Sequence, residues 1–331
     1  MVKIYLGGFR MKEVIITSNE AGQRFDKFLR KYLKNMSLGS IYKAIRKREV
    51  LVNGKGVNEK YLLKEGDKVS FLFEIEDIKK EKDLKFLKIE NLNLRVAYED
   101  ENVLIVEKEK NLLVHPDEGE ELTLTDAVLA YLYDKGEYNP NEEKTFSPSP
   151  CNRLDRNTEG LVIYAKNYEA LKLLNEAIRE GGIKKYYIAL IKGKLEDGTY
   201  RAYLSKDKKN NKVIISNNKT WDSKEIETKI KTLETVGAFS EVEIDLITGR
   251  SHQIRAHLSS LGNPIIGDPK YGHRKLNSMF FNKFGLDNQL LIAYKLIFKE
   301  VKGSLSYLNN RIITMNLPPI YKKIRHELFK F

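Results

Sequence analysis

A short segment in the middle of the chain places one carboxylate between two guanidinium groups. Residues 152–160 read Asn-Arg-Leu-Asp-Arg-Asn-Thr-Glu-Gly, so Asp155 lies between Arg153 and Arg156. The segment runs directly into the hydrophobic stretch Leu161–Ala165, which predicts a loop that enters a strand. Loops held by a rigid sheet often carry catalytic residues, and an ionised Asp in such a loop can attack carbon. Taken alone, however, an Arg-Leu-Asp-Arg segment is more often a surface ion-pair cluster.

Two later segments also contain side chains suited to chemistry. Residues 185–193 read Lys-Tyr-Tyr-Ile-Ala-Leu-Ile-Lys-Gly, and Tyr187 offers both a flat face for stacking on a base and a hydroxyl for proton handling. By itself, Tyr187 would more often be an ordinary aromatic residue of a strand. Residues 249–258 read Gly-Arg-Ser-His-Gln-Ile-Arg-Ala-His-Leu. The spacing of five between His252 and His257 is poor for binding one metal ion from a helix, so we expect no metal site here.

In this order, the three segments resemble the signature motifs of the RluA-type pseudouridine synthase family. There the central motif reads His-Arg-Leu-Asp-Arg-Asp-Thr-Ser-Gly and its Asp is the catalytic nucleophile, which implies this role for Asp155. The resemblance also implies that Tyr187 is the active-site tyrosine, that Arg255 pairs with the nucleophile, and that Arg156 enters the space that the target base vacates. The family needs no cofactor, and none is expected here.

The chain departs from the family pattern at several positions. Asn152, Asn157 and Glu159 replace the family's His, Asp and Ser around the nucleophile. The family's Lys-Pro-x-Gly segment reads Lys108–Asn111 here, and its late Leu-His-Ala reads Leu291–Ala293. Because the nucleophile and both neighbouring arginines remain, we expect these changes to affect loop hydrogen bonding and one turn near the site more than activity.

The amino-terminal part of the chain is strongly basic. Residues 21–60 hold 11 Lys or Arg against three acidic residues, a net charge of +8 out of +12 for the whole chain. Apolar residues recur at helical spacing around Phe25–Leu33 and again around Ile41–Ile45, with Ser37 or Ser40 as the N-cap of the second helix. We predict a strand at Val50–Val52 that turns and continues through Val57, and another strand at 69–73.

This pattern of two short helices and small strands resembles the RNA-binding domain named after the S-four ribosomal protein, over residues 21–73. The resemblance implies RNA binding by basic side chains of the module. The predicted RNA-binding residues are Arg24, Lys27, Lys43, Arg46, Lys47 and Arg48.

The elements that must hold the motifs are predicted from periodicity. We expect a hairpin of 94–98 and 103–107, helices at 122–133 and 168–179, and strands at 161–165 and 187–191. Hairpins mixed with helices indicate an α+β fold with a mostly antiparallel mixed sheet. We predict an extension at 1–12, the S-four-like domain at 13–75, a linker at 76–90 within a charge-dense segment 74–90, and the catalytic domain at 91–331.

Composition limits the remaining possibilities. The net charge of +12 and a pI of 9.3 favour a polyanionic partner, and the single cysteine Cys151 excludes an internal disulfide and a cysteine-based zinc site. One cysteine fits a reducing cytoplasm, no apolar stretch approaches the roughly 18 residues of a membrane span, and nothing in the sequence requires an oligomer, so we expect a cytoplasmic monomer without membrane contact. The resemblance implies that it acts on RNA. The RluC-like subgroup is the most similar, which implies large-subunit ribosomal RNA; transfer RNA stays open, as do the modified uridines and the true start codon. A non-catalytic RNA-binding or ribosome-assembly factor with this fold is the alternative, and a hydrolytic glycosidase is a second one.

Overall fold

The computed structural model describes residues 5–6, 9–10, 12–73, 86, 89, 93–116, 122–141, 144–207, 209–210 and 212–330. The chain divides into two compact units. The first comprises Met1–Leu92, Val128–Ser149 and Ala165–Lys172, and the second comprises Asn93–Ala127, Pro150–Tyr164 and Leu173–Phe331. The domain boundaries given above stay predictions. Among the described helices, none combines the length and the apolar composition that a membrane crossing requires.

The amino-terminal module of the first unit is a three-stranded sheet covered by two helices. Its sheet has the order β3-β5-β4 with antiparallel pairs, and a separate two-residue pair, β1 and β2, precedes it. The elements are β1 Tyr5–Leu6, β2 Phe9–Arg10, β3 Lys12–Ile15, α1 Phe25–Tyr32, α2 Leu38–Arg46, β4 Val50–Val52 and β5 Lys68–Phe71.

The two predicted helices and their apolar faces are confirmed. Phe25, Phe28 and Leu29 of α1 are fully buried, and Ile41 and Ala44 of α2 join them in one core with the strands. Of the two proposed N-caps, Ser37 caps α2, because its hydroxyl accepts a hydrogen bond of 3.1 Å from the Ser40 backbone N–H.

The turn after β4 is confirmed at Asn53 and Gly54, which both have positive φ. The predicted continuation through Val57 is wrong, because Val57 lies outside every strand. The turn closes one pair of backbone hydrogen bonds between Val52 and Lys55, and the strand that pairs with β4 is β5, whose Val69 and Phe71 are fully buried. The buried strand β5, and not the segment through Val57, is therefore the partner of β4.

The remaining described strands form one sheet of 11 strands. The strand order is β12-β11-β13-β14-β10-β15-β9-β7-β6, with β16 beside β15 and β8 beside β9. The elements are β6 Val96–Glu99, β7 Val103–Lys108, α3 Leu124–Asp134, β8 Ser149–Pro150, β9 Glu159–Ala165, α4 Tyr168–Glu180, β10 Ile183–Lys192, β11 Gly198–Asp207, β12 Lys212–Ser216, β13 Lys224–Val236, β14 Phe239–Leu246, α5 Gln253–Ser260, α6 Arg274–Phe284, β15 Leu291–Phe298, a 3-10 helix Gly303–Leu308, β16 Ile312–Thr314 and α7 Pro319–Leu328.

The predicted α+β class with a mostly antiparallel mixed sheet is confirmed. β10 pairs antiparallel with both β14 and β15, whereas β15 pairs parallel with β9. The hairpin of β6 and β7 turns at Asp100, whose carboxylate accepts hydrogen bonds of 2.8 Å from the backbone N–H groups of Asn102 and Val103. The predicted helix at 168–179 ends, as expected, before Gly181, which has a φ of +76°.

The predicted linker and charge-dense segment at 74–90 lies outside the described residues except for 86 and 89. Phe86 is buried, and its ring contacts the rings of Tyr133 and Tyr138 within the first unit. At this position the segment therefore contributes an apolar side chain to packing.

Gly160 lies where the nucleophile-bearing loop enters β9, and no other residue fits there. Its backbone pairs with Ala293 of β15, in the parallel register of the two strands. A Cβ atom at Gly160 would lie 2.4 Å from the Cβ atom of Ala293 and 2.6 Å from its carbonyl oxygen, and the φ of +145° is strained for any L side chain. The last residue of the 152–160 segment thus sets the close approach of two central strands.

We predict that Gly160→Ala lowers the free energy of unfolding by about 2–5 kcal/mol, because it adds both backbone strain and a backbone clash. Chemical denaturation measures the change. The matched control is Gly237→Ala, at a turn with a φ of +53° and open space around the built Cβ atom, where only a conformational cost of about 1–2 kcal/mol is expected. Equal destabilisation by the two variants would contradict the close-approach explanation.

Candidate active site

One guanidinium group joins two carboxylates at the centre of the second unit. Arg255, on α5, donates from Nη1 to Asp155 Oδ2 at 2.7 Å. Its other edge binds Asp268 in the two-bond geometry of a fork, Nε to Oδ2 at 2.7 Å and Nη2 to Oδ1 at 2.9 Å. The sequence separation between Asp155 and Arg255 is 100 residues, so only the folded sheet brings them together.

Exposure differs along this chain of three charges. The side chain of Asp268 is fully buried, that of Arg255 is 8% exposed and that of Asp155 is 25% exposed. Burial alone would lower the pKa of Arg255, but the hydrogen bonds and charges of Asp268 and then Asp155 outweigh burial and raise it. Arg255 is therefore a fixed cation, and Asp155 is the end of the network that reaches the surface.

Asp268 is the anchor of the network. Burial would raise the pKa of its carboxyl group, but hydrogen bonds and the charge of Arg255, with the backbone N–H groups of Tyr271 and Lys270, hold this pKa below its usual value. Those N–H groups donate to Oδ1 at 3.0 and 2.8 Å. The preceding Gly267 has a φ of +82°, and a Cβ atom there would lie 2.2 Å from the Asn288 carbonyl oxygen. Backbone geometry thus fixes Asp268, and Asp268 fixes Arg255.

The loop that carries Asp155 is held at both ends. The Thr158 N–H donates to the Asp155 carbonyl at 3.0 Å, and the buried Thr158 hydroxyl accepts from Gln289 Nε2 at 3.0 Å. At the other end, the Asn152 side chain binds the backbone of β9. It accepts a hydrogen bond from the Ile163 N–H at 2.8 Å and donates one to the Leu161 carbonyl at 3.2 Å. The Asn that replaces the family's His therefore has defined partners on β9.

Lys108, at the end of β7, connects the loop that carries Asp155 to the segment that follows β7. Its buried ammonium group donates to three carbonyl oxygens, those of Glu109 at 2.8 Å, Leu112 at 2.7 Å and Arg156 at 2.7 Å. Burial lowers the pKa of Lys108 to about 7, against the attraction of Glu159 and Asp155. Three acceptors match the three protons of an ammonium, so the hydrogen bonds favour the charged form.

Tyr187 is placed by an irregularity in the sheet. The pairing of β10 with β15 shifts register between Tyr186 and Ile188, and Tyr187 is the residue at this bulge. Bulges redirect a side chain and are frequent next to active sites. Tyr187 is buried; desolvation and, secondly, the charge of Asp155 raise the pKa of its hydroxyl, which therefore stays protonated. The hydroxyl and the carboxylate thus lie within electrostatic reach of each other.

A second layer of aromatic and imidazole groups supports Arg255. The Tyr271 ring lies below the guanidinium, 5.3 Å from the ring centroid to Cζ. The Tyr271 hydroxyl accepts from the Val213 N–H at 3.0 Å and is hydrogen-bonded to His252 Nδ1 at 2.9 Å. Burial lowers the pKa of His252. His257 is buried against the Thr228 hydroxyl at 3.0 Å, a structural contact.

The other predicted residues lie on surfaces. Arg156 is exposed next to Asp155, and its backbone carbonyl, rather than its side chain, holds the Lys108 bond. In the amino-terminal module, five of the six predicted RNA-binding residues are exposed: Lys27, Lys43, Arg46, Lys47 and Arg48. Arg24 differs, because it forms a two-bond ion pair with Asp26 at 3.0 and 2.8 Å. Within the part of the chain that the structure describes, no group of three or more His, Cys, Asp or Glu side chains is arranged to bind a metal ion.

Comparison with known proteins identifies the family of this chain. The model of the RNA pseudouridylate synthase family matches residues 102–260, and the S4 domain model matches residues 23–69. An uncharacterised RNA pseudouridine synthase from Mycoplasma capricolum is 36% identical, over 92% of this chain and 98% of its own length. The chain belongs to the RNA pseudouridine synthase family. It is an enzyme that isomerises uridine in RNA, and it carries an S4 domain at its amino terminus.

Further relatives and one solved structure agree with this assignment. The ribosomal large subunit pseudouridine synthase C of Vibrio parahaemolyticus is 34% identical over 87% of this chain and 88% of its own. The structure of human RNA pseudouridylate synthase domain containing 4 has a TM-score of 0.56 and 23% identity, covering 71% of this chain and 92% of that one, and it shares the fold. The predicted pseudouridine synthase family, its fold and the amino-terminal S4 domain are confirmed.

Two residues of the site had no role in the sequence interpretation. Asp268 lies beyond the residues 102–260 that the family model matches, and nothing in its spacing shows that it binds the far edge of Arg255. Lys108 directly follows the predicted strand Val103–Glu107, four of whose residues are buried. A lysine at the end of such a strand could have indicated a buried ammonium group that needs hydrogen-bond partners. The departures at Glu109 and Asn111 leave the Lys108 bonds intact because these bonds use backbone carbonyl groups.

We predict that Lys108→Met lowers the single-turnover rate of pseudouridine formation by about 10- to 100-fold, because a loop displaced by about 1 Å misplaces Asp155. The affinity for RNA should change little, since Lys108 is buried. Rapid-quench kinetics measure the rate, and filter binding measures the affinity.

Lys110→Met is the matched control. Lys110 is a nearby lysine whose ammonium pairs with Asp287 at 3.3 Å on the surface. Its loss should leave the rate within about 2-fold, as expected for an exposed ion pair. A Lys108→Met enzyme as fast as the control would show that the loop does not depend on this ammonium.

Proposed function

We propose that Asp155 is the nucleophile of this pseudouridine synthase and that its substrate is large-subunit ribosomal RNA. The single observation that carries the first part is the Asp155–Arg255–Asp268 network, in which only Asp155 reaches the surface. The substrate follows from relatives named ribosomal large subunit pseudouridine synthase C at 32–34% identity over most of this chain. We also retain the cytoplasm and the monomeric state as expectations.

The reaction begins with extrusion of the target uridine. A stacked base shields its glycosidic bond, and removing it from the stack costs a few kcal/mol. Arg156 is exposed beside Asp155, and we propose that it occupies the space left by the extruded base. Tyr187 then stacks against the extruded uracil ring. Both residues compensate part of the cost of unstacking.

Asp155 acts on the extruded nucleotide while Arg255 holds its position. The carboxylate attacks the anomeric carbon or the uracil ring, or removes a ribose proton; all three routes break the bond between the base nitrogen and the ribose. The base turns, carbon 5 bonds to the ribose and gives up its proton to solvent, the freed base nitrogen takes up a proton, and Asp155 leaves as the free carboxylate. Composition is unchanged, so the balance requires no redox cofactor and no ATP.

The single carboxylate resembles the nucleophile of a retaining glycosidase without a second acid to release a leaving group. A glycosidase would release free uracil, so the detached base must stay bound at Asp155 here. The buried Tyr187 at the bulge of β10 supports this requirement, because it supplies an apolar ring whose hydroxyl stays protonated and whose pKa is raised by burial and by the charge of Asp155.

Docking of the RNA is assigned to the amino-terminal module. Lys43, Arg46 and Lys47 project from α2 on the side away from the core, where they are available to phosphates. Each phosphate neutralised by a cation releases counterions, so this contribution falls as salt rises. The alternative of a non-catalytic RNA-binding factor rests on Asn152, Glu109 and Asn111, but Asn152 is bonded to β9 and the pairing of Asp155 with Arg255 is present.

We predict that Asp155→Asn reduces pseudouridine formation to background while RNA affinity changes by less than about 3-fold, because the amide keeps the volume and loses the nucleophilic charge. Release of tritium from RNA labelled at uracil carbon 5 measures turnover. Substantial turnover by this variant would refute the role of Asp155, and a wild-type enzyme that binds RNA without releasing tritium would favour the non-catalytic alternative.

We predict that the double variant Arg46→Ala, Lys47→Ala weakens RNA binding and reduces the slope of log Kd against log salt by on the order of 1.5, the contribution of two lost phosphate contacts. Binding is measured across a series of KCl concentrations. The matched control replaces Lys322 and Lys323 on α7 by Ala, since neither is among the predicted contacts. An unchanged slope in the Arg46, Lys47 variant would mean that α2 does not bind phosphates.

A further inference from the structure

The only tryptophan of the sequence lies almost completely in solvent. Trp221 is 98% exposed, in the loop 217–223 that joins β12 to β13. Tryptophan has a large apolar surface that is normally covered, and single exposed indoles in ordered loops are enriched at binding surfaces. The mechanism described above makes no use of this side chain.

The loop around Trp221 is held by its own hydrogen bonds. The Thr220 N–H donates to the Ser223 hydroxyl at 2.8 Å, and that hydroxyl donates to the Thr220 carbonyl at 3.0 Å. The Thr220 hydroxyl donates to the Asp222 carboxylate at 3.0 Å. The indole is thus presented by an ordered turn, which reduces the entropy lost when a ligand binds to it.

Two lysines flank the indole. Lys219 precedes Trp221 by two residues, and Lys224 follows it by three; both are exposed. Asp222 and Glu225 are exposed in the same segment and balance this charge, and the Asp222 carboxylate accepts the hydrogen bond of Thr220. A flat aromatic surface between two ammonium groups matches single-stranded nucleic acid, in which stacked bases alternate with phosphates.

The strand before this loop contacts the support of the catalytic arginine. The Val213 N–H of β12 donates to the Tyr271 hydroxyl at 3.0 Å, and the Tyr271 ring lies below Arg255. From Val213 the strand runs to Ser216, a span of about 10 Å, before the loop begins. The loop that carries Trp221 therefore follows a strand that is hydrogen-bonded to the tyrosine under Arg255.

We propose that Trp221 stacks on an unpaired base of the RNA substrate, outside the target uridine, while Lys219 and Lys224 bind the adjacent phosphates. This inference rests on the proposed function, since it takes its RNA from that assignment. Base–aromatic stacking tolerates every base, so Trp221 contributes affinity and register, and the recognition of the uridine itself remains with the active site.

Because the chain has one tryptophan, its intrinsic fluorescence reports on this residue alone. The full-length Asp155→Asn variant is titrated with a large-subunit ribosomal RNA fragment that the unaltered enzyme binds in filter retention, so that no turnover disturbs the titration. We expect saturable quenching of the indole emission at the same midpoint as RNA binding measured by filter retention. A short duplex without unpaired bases is the RNA control and should quench little.

Substitutions at Trp221 distinguish base stacking by the indole from other contacts with the RNA. Trp221→Ala should raise the Kd on the order of 5- to 150-fold, the loss expected for one stacked base, while the single-turnover rate at saturating RNA stays within about 2-fold. Trp221→Phe keeps a ring and should recover most of the affinity. Ile312→Ala, at another apolar side chain that is 59% exposed, is the matched control and should bind like the unaltered enzyme.

Unquenched fluorescence at saturating RNA, together with a Trp221→Ala Kd within about 2-fold of the unaltered value, would overturn the inference. Quenching by ribosomal protein but not by naked RNA would overturn it as well, because it would assign the indole to a protein partner. If fluorescence and affinity respond as expected but no tritium is released from the RNA, the stacking inference stands and the proposed function fails.

Discussion

The site depends on one guanidinium that must bind two carboxylates at once. Arg255 offers two edges, and Asp268 occupies one of them from a fully buried position. A buried ion pair costs desolvation and becomes favourable only when its remaining donors and acceptors are satisfied. Here the backbone N–H groups of Lys270 and Tyr271 satisfy Asp268, and the second edge of Arg255 remains directed at Asp155. This hydrogen-bonded network therefore fixes the position of the proposed nucleophile, Asp155.

The strands of the sheet also help to position the loop that carries Asp155. Gly160 permits β9 and β15 to approach closely, and Tyr187 lies at a bulge of the neighbouring strand β10. Lys108 binds the backbone carbonyl of Arg156 in the loop that carries Asp155. The contacts of Gly160 and Lys108 use main-chain atoms, so they do not depend on the side chains of Asn152 and Glu159.

The sequence predicted much of this arrangement, and it failed where long-range packing decides. The helices at Phe25 and Ile41 follow from a 3.6-residue period, and the turn at Asn53 follows from local backbone preference. The strand continuation at Val57 failed because β5, distant in sequence, buries more apolar surface against β4. Asp155, Tyr187 and Arg255 were identified through motifs. Asp268 and Lys108 were not, because no sequence pattern shows that Asp268 binds the far edge of Arg255 or that the Lys108 ammonium binds backbone carbonyl groups.

The fork of Arg255 is the feature that a lysine cannot replace, because an ammonium is a point charge and cannot hold Asp155 and Asp268 in the same planar geometry. The most direct measurement is the single-turnover rate of Arg255→Lys at saturating RNA, with folding checked by its denaturation midpoint. The account predicts a rate at least about 100-fold below that of the unaltered enzyme, at nearly unchanged RNA affinity. A folded Arg255→Lys enzyme with a rate within 3-fold of the unaltered one, about 0.65 kcal/mol, would contradict it.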